Sequence, residues 1–376
     1  MEITIIGWYG TETIGDRAIL AGIFRILSNS VGEFSIRLGS LYPFYSQRTI
    51  LEDIEFYRKA AQNPNLSISI FDSRNPYELK KNIKKSDVLM VGGGPLMDLQ
   101  EMSMLDYAFH HAFQYRKISI LMGCGWGPLK TSKAIEISKR LIDKSSITIF
   151  RDDISKEEAI KNGCNSSKIN SIIDPAFIAC MVFMEDVSIS KSSHVSVNFR
   201  DVTLEGDHYV KCGLMVDKYC DILEQILDQS QLPIHLIPMH NFFIGGDDRM
   251  ILSDIVRKIG SERVSVIQTP LSLQETMSEY YNAAYCVGMR FHSILLQTVL
   301  NGKNYIVDYT NPNNGKIIGM MKKINMQGAY KNRYHSLHNG DERPVIKLNE
   351  IQFFKLPENM ITAALEEYVR LFKQLI

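Results

Sequence analysis

Apolar positions along this chain follow two rhythms. Short β-branched runs alternate with longer stretches in which apolar residues return every three or four positions. Glu2–Ile6, Phe34–Leu38, Ser67–Phe71, Val88–Val91, Ile118–Met122 and Ile147–Phe150 read as strands. Several are apolar enough to be covered on both faces, as parallel strands are. Helical stretches separate them, the first from about Asp16 to Leu27. A polar stretch, Ser188–Ser193, reads as a linker, and the pattern then restarts. Val195–Phe199, Pro233–Pro238, Val264–Ile267, Tyr285–Gly288 and Tyr305–Val307 are the second set of strands. Val216, Tyr219, Leu223, Ile226 and Leu227 mark one helix stripe, and Leu273–Tyr281 a further helix. Ile361, Ala364, Leu365, Tyr368, Leu371, Phe372 and Leu375 give the last helix a single apolar face. The alternation predicts an α/β fold of two successive doubly wound units with a cleft between them. Residues 1–187 form the first, 194–355 the second, and 356–376 a helix that packs back on the first.

Ligands of such sheets gather beyond the strand carboxyl ends, so those ends carry the chemistry. The first strand runs into Gly7-Trp8-Tyr9-Gly10-Thr11-Glu12-Thr13-Ile14-Gly15-Asp16. Strand, glycine turn and helix together bring backbone close to a phosphate or sugar, and a tight structural turn reads the same way. The spacing is neither G-x-G-x-x-G nor a P-loop, which argues against an ordinary nicotinamide or ATP site. Val88–Val91 ends in Gly92-Gly93-Gly94, which leaves no side chain between backbone and a ligand, or lets a helix pack closely. Ile147–Phe150 ends in Arg151, an anion contact or a partner for its acidic neighbours. Ser155 and Glu158 fit a capping box for the next helix. Cys124 lies in a glycine-rich strand end without a neighbouring histidine and reads as a small buried hydrophobe.

The sharpest stretch is Gly288-Met289-Arg290-Phe291-His292-Ser293. An extended segment would send Arg290 and His292 to one side, at the start of the helix that follows. Arginine, imidazole and helix N–H groups suit an anion that also exchanges a proton. A surface arginine with a capping or core histidine is the plainer reading. His240, Asp247 and Asp248 fall near the mouth of the second sheet, the two aspartates as helix starters. Lys316 follows the polar loop Thr310–Gly315.

Composition narrows the field. With 376 residues the chain is long enough for about two domains. Lys+Arg and Asp+Glu are both 42, so no overall field favours nucleic acid. The local run Lys80–Lys85 reads as a solvated helix face, with membrane contact at most peripheral. No signal-peptide pattern opens the chain and no apolar run reaches membrane-spanning length, so a cytoplasmic protein is expected, at most at the inner face of the membrane. None of the six cysteines sits in a C-x-x-C pair, and no metal site is expected.

Taken in order, several of these pieces resemble the polysaccharide pyruvyl transferase family. They are Gly7-Trp8-Tyr9-Gly10 with Ile14-Gly15-Asp16-Arg17-Ala18-Ile19-Leu20, Asp87 through Asp98 with the triple glycine, Phe150-Arg151-Asp152 with Ser155, Asp174-Pro175-Ala176, and Gly288–Ser293. The likeness runs from the first strand to about Lys316. Two features depart from it: Thr11-Glu12-Thr13, where smaller residues and an asparagine are usual, and Arg17, where an acidic residue is common.

The resemblance implies two Rossmann-like lobes in a GT-B-like arrangement, the N-terminal lobe on the acceptor side and the C-terminal lobe on the donor side. It implies phosphoenolpyruvate as co-substrate, no cofactor and no metal. The acceptor would be a sugar, polymer-bound or lipid-diphosphate-linked, and the product a pyruvate ketal across two hydroxyls, with phosphate released. His292 with Arg290 would be catalytic. Arg151, Arg290, His292 and Lys316 would bind the donor, and Gly10, Gly15, Asp16, Gly93, Gly94 and His240 would shape the acceptor side. The residue types suit this chemistry: arginine forks match carboxylate and phosphate, and histidine moves protons near neutrality. A nucleotide-sugar glycosyltransferase and a non-catalytic carbohydrate-binding protein are the rival readings.

Overall fold

A computed structural model describes residues 1–11, 13–188, 192–202, 212–242, 244, 246–326, 328, 332–338, 343–357 and 359–376. Glu12 and part of the expected linker, residues 189–191, lie outside the described residues. The chain divides into two compact units: Met1–Val182 with the C-terminal helix, and Phe183–Pro357.

The first unit is built on parallel strands β1 (Glu2–Ile6), β2 (Ser35–Ser40), β3 (Ser67–Asp72), β4 (Val88–Gly92), β5 (Pro95–Leu96), β6 (Ile118–Trp126), β7 (Ile147–Phe150) and β8 (Ile169–Ser171). Their order is β3-β2-β1-β4-β6-β7-β8, with β5 paired to β6. β4 and β7 are buried throughout, which is why their sequences read as unbroken apolar runs. The helix Ile14–Val31 follows β1 and carries Gly22 where it meets Pro175: a Cβ there would stand 1.9 Å from the Pro175 carbonyl oxygen. The last helix, Met360–Lys373, packs on Ile14–Val31 through its apolar face. Its Tyr368 is fully buried and donates to the Ile173 carbonyl at 2.9 Å.

The second unit repeats the plan with β9 (His194–Val197), β10 (Ile234–Leu236), β11 (Val264–Val266), β12 (Ala283–Gly288), β13 (Asn304–Asp308) and β14 (Tyr334–Ser336). All pairings are parallel, in the order β11-β10-β9-β12-β13-β14. Val195, Val197, Ile234 and Leu236 point into one core, while His194, Ser196 and His235 take the other face by the two-residue alternation of strands. The helix Leu273–Tyr281 begins with a complete capping box between Ser272 and Glu275.

One cap differs from expectation. The helix Asp153–Lys161 is capped by Asp152, whose carboxylate accepts from the Ser155 N–H at 2.7 Å. Glu158 instead pairs with Lys161 on the surface. An aspartate directly before the helix reaches the orphan N–H without the reciprocal bond that a capping box needs. The Lys80–Lys85 run lies in the helix Pro76–Lys85, with its four lysines exposed and Ile83 buried beneath.

Candidate active site

In the second unit the carboxyl ends of three strands bring two arginines and one phenol together. Arg200 follows β9, Arg290 follows β12, and Tyr309 directly follows β13. Arg200 Nη1 donates to the Tyr309 hydroxyl at 3.3 Å, and its guanidinium lies 5.0 Å from the ring centre. Lys316, the first residue of the helix Lys316–Lys323, holds its ammonium 5.3 Å from the same ring. Burial would raise the phenol's pKa, but Lys316, Arg200 and Arg290 outweigh it and bring it down to about 8. Tyr309, Arg200 and Lys316 are all half-buried, so the cluster is open to solvent.

Arg290 is held from behind by Asp248. Its Nε and Nη2 donate to the two carboxylate oxygens at 2.7 and 2.6 Å, the two-point geometry that fixes a guanidinium plane. Asp248 also accepts from the backbone N–H groups of Met239 and His240, both at 3.1 Å. The expectation that Asp247 and Asp248 start a helix is met, since Asp247 caps Asp248–Ile259. Asp248 does more: it orients the arginine. His240 is buried, and its backbone N–H donates to Asp248, the carboxylate that also holds Arg290.

His292 is half-buried in the first turn of the helix Phe291–Leu300, edge-on to the Phe291 ring. Arg290 is the N-cap of that helix, so only Arg290 is extended and His292 is already helical. The strand-like alternation expected for the pair therefore does not apply. Both sit at the helix start, where the positive end of the dipole adds to the cationic field.

The first unit holds a different cluster. Asp16, in the first turn of its helix, is half-buried yet densely surrounded. Burial first, then the charge of Asp174, push its carboxyl up to about 7, with Arg151 opposing. Arg151 and Asp174 are themselves buried and paired at 3.4 Å. The anion contact expected at Arg151 thus comes with a resident carboxylate. Cys124 is fully buried beside them, and burial pushes its thiol up to about 12, which leaves no thiolate nucleophile.

The glycine turns serve packing. Gly93 and Gly94 both have φ of +74°, and a Cβ would stand 2.6 Å from Ile19 at the first and 2.1 Å from Trp8 at the second. At Gly10, φ +87°, it would meet Ser40 Oγ at 2.4 Å. Gly15 is buried in the first turn of the helix Ile14–Val31. The space these glycines leave is filled by the protein's own side chains, so close packing accounts for Gly10, Gly93 and Gly94 without a ligand. Arg17, the departure from the family pattern, is paired with Asp53 and Glu52 on the neighbouring helix.

Sequence reasoning missed Arg200 and Tyr309. Their signal is position: each stands within three residues of the end of a parallel strand.

Two parallel Rossmann-like α/β sheets, with cations gathered at the strand ends of the second, define an α/β protein of two units. The family model for polysaccharide pyruvyl transferases matches residues 14–311, and the chain belongs to that family. It is therefore a transferase by family. No curated protein matched significantly. Among solved structures, UDP-GlcNAc 2-epimerase from Methanocaldococcus jannaschii is similar at 14% identity and TM-score 0.61, with all of both chains covered. A 2-epimerase from Listeria monocytogenes, described as putative, matches at 12% and 0.57, covering 100% of this chain and 90% of its own. Anabaena HepE, solved with UDP and glucose, matches at 10% and 0.52, covering 100% and 97%. These likenesses concern the fold, which is GT-B-like.

Proposed function

We propose that the chain transfers pyruvate from phosphoenolpyruvate to two hydroxyls of a sugar, as a ketal, and releases phosphate. The observation that carries this is the cluster of Arg200, Arg290 and Lys316 around Tyr309. A small anion bearing a carboxylate and a phosphate needs several fixed cations at close range, and guanidinium forks match both groups. Asp248 keeps Arg290 in one orientation, so little ordering is left to do when the donor arrives.

The balance of the reaction assigns the remaining roles. A proton reaches the methylene carbon of the donor, which becomes a methyl group. One sugar hydroxyl bonds to the central carbon, the bond from that carbon to the phosphate oxygen breaks, and a second hydroxyl closes the ketal. Two hydroxyl protons are lost: one equals the proton gained by carbon, and the other leaves with phosphate. His292 is the proton donor in this reading. The donor contact that family resemblance implies for Arg151 belongs to the same proposal. The sugar's carrier, polymer or lipid diphosphate, is left to the acceptor panel.

The test is phosphate release from phosphoenolpyruvate across a panel of glycans, with mass spectrometry of the products. Wild type should add one condensed pyruvate to one acceptor. His292→Ala and Arg290→Ala should each lose at least about 100-fold in turnover, the lower end of what acid–base help contributes. Near wild-type turnover in both would refute the assignment. The UDP-bound neighbours motivate one alternative, a nucleotide-sugar donor whose diphosphate takes the same cations. Thermal stabilisation by UDP-sugars but not by phosphoenolpyruvate would favour it.

A further inference from the structure

The second sheet carries another group of ligand-type side chains, away from the strand ends that hold Arg290 and Tyr309. His194 is the first residue of β9, His235 the middle of β10, and Glu279 lies on the helix Leu273–Tyr281 that covers this face. His235 stands beside Ser196 in register, so His194, Ser196 and His235 share one face. The sequence shows none of this, because His194 and Glu279 are 85 positions apart.

We propose that His194, His235 and Glu279 form a binding site for a borderline-soft divalent metal such as zinc. Glu279 Oε2 lies 2.9 Å from His235 Nδ1 and 3.2 Å from His194 Nε2. Ligand atoms around a tetrahedral zinc, with bonds of roughly 2.0–2.1 Å, are spaced by about 3.3 Å, so two of the three edges already have nearly that length. All three donor atoms fall within 4.8 Å of one another. The two imidazole rings are stacked, 4.3 Å between centres at 17°. Ligation requires His235, the more exposed ring, to tilt toward the shared centre; its side chain is 31% exposed and Glu279's 28%, which gives both the room and an entry path.

The surroundings suit a metal. A cation entering there replaces the hydrogen-bonded protons between imidazole and carboxylate. Ser193 Oγ lies 3.0 Å from His194 Nδ1, the outer-sphere contact that orients a ligating ring. Ser196 Oγ, 2.9 Å from His194 Nε2, or water supplies the fourth position. Two nitrogens and one carboxylate select zinc, cobalt, nickel or copper over magnesium and calcium, which prefer all-oxygen shells.

The experiment uses the full chain, stripped with chelator and titrated with Co2+ and then Zn2+. One equivalent should bind, Co2+ should show the intense visible bands of a low-coordinate N/O site, and Zn2+ should displace it; Mg2+ should not. His235→Ala and Glu279→Gln should each weaken affinity at least about 100-fold, the upper end of what outer-sphere partners alone contribute. Circular dichroism verifies that each variant is folded. In the wild-type chain Zn2+ should also protect His235 from carbethoxylation, which keeps the test decisive if a variant fails to fold. Absence of stoichiometric binding, binding unchanged in both variants, or no protection of His235 would overturn the proposal. Because these readouts need no substrate, they are independent of the pyruvyl-transfer reading.

Discussion

Tyr309 gives the most direct test of the cationic cluster. A phenol that ordinarily ionises near 10 is brought to about 8 by Lys316, Arg200 and Arg290 against the effect of burial. Two pK units correspond to roughly 3 kcal/mol of preference for phenolate. An anionic donor that takes over those cations removes the preference and returns the phenol toward 10. Between about pH 8 and 10 the free protein then holds phenolate, and binding must take up a proton. By linkage, donor affinity falls about tenfold per pH unit across that window, roughly 100-fold in all.

The assay is calorimetric titration of phosphoenolpyruvate at pH 7, 8, 9 and 10, in buffers of different ionisation enthalpy so that proton uptake is counted. Near-ultraviolet phenolate absorbance, taken as the difference between wild type and Tyr309→Phe, isolates this residue from the other tyrosines. Tyr309→Phe should keep its affinity as pH rises, and Lys316→Ala, which removes the largest of the favourable charges, should move the phenol upward. Stability moves the opposite way with pH. The folded phenol ionises at about 8 and the unfolded one near 10, so the contribution is complete above pH 10 and is lost as pH falls through 8. A Tyr309→Phe protein with the same loss of affinity as wild type, or no phenolate signal below pH 10, would refute the argument.

Two further outcomes follow from the first unit. Asp16 is raised from 3.8 to about 7, so the protein loses stability as pH rises from about 4 through 7; Asp16→Asn should flatten that slope in urea melts, by at most about 4 kcal/mol. Gly22→Ala drives a methyl group into the Pro175 backbone and should cost about 1–3 kcal/mol, read as a lower urea midpoint with no change in slope; an unchanged midpoint would contradict the packing.

Val88–Val91 and Ile147–Phe150 were plain in the sequence because burial makes them apolar on both faces, and Ser67–Phe71, partly exposed, showed through its β-branched alternation. β8 and β14 were not legible. Each has only three residues, and Ile169-Asn170-Ser171 and Tyr334-His335-Ser336 carry polar side chains because they close the sheet edges. Glycines were ambiguous for a related reason. A triple glycine signals that something approaches the backbone, and only coordinates say whether it is a ligand or, as at Gly93 and Gly94, Ile19 and Trp8.

The same limit decides what could be known of the site. Arg290 and His292 were legible because they follow a strand and open a helix within one short stretch. What makes Arg290 useful is Asp248, 42 positions earlier, and nothing local announces that pairing. A lone exposed arginine swings through many rotamers and must be ordered when an anion binds. Asp248 fixes the fork at two points and is itself fixed by two backbone N–H groups. The ordering cost is thereby met on folding rather than on binding, while Arg200 and Lys316 supply further positive charge beside Tyr309. Local sequence names the charged residues; the long-range carboxylate determines which of them is held in one orientation.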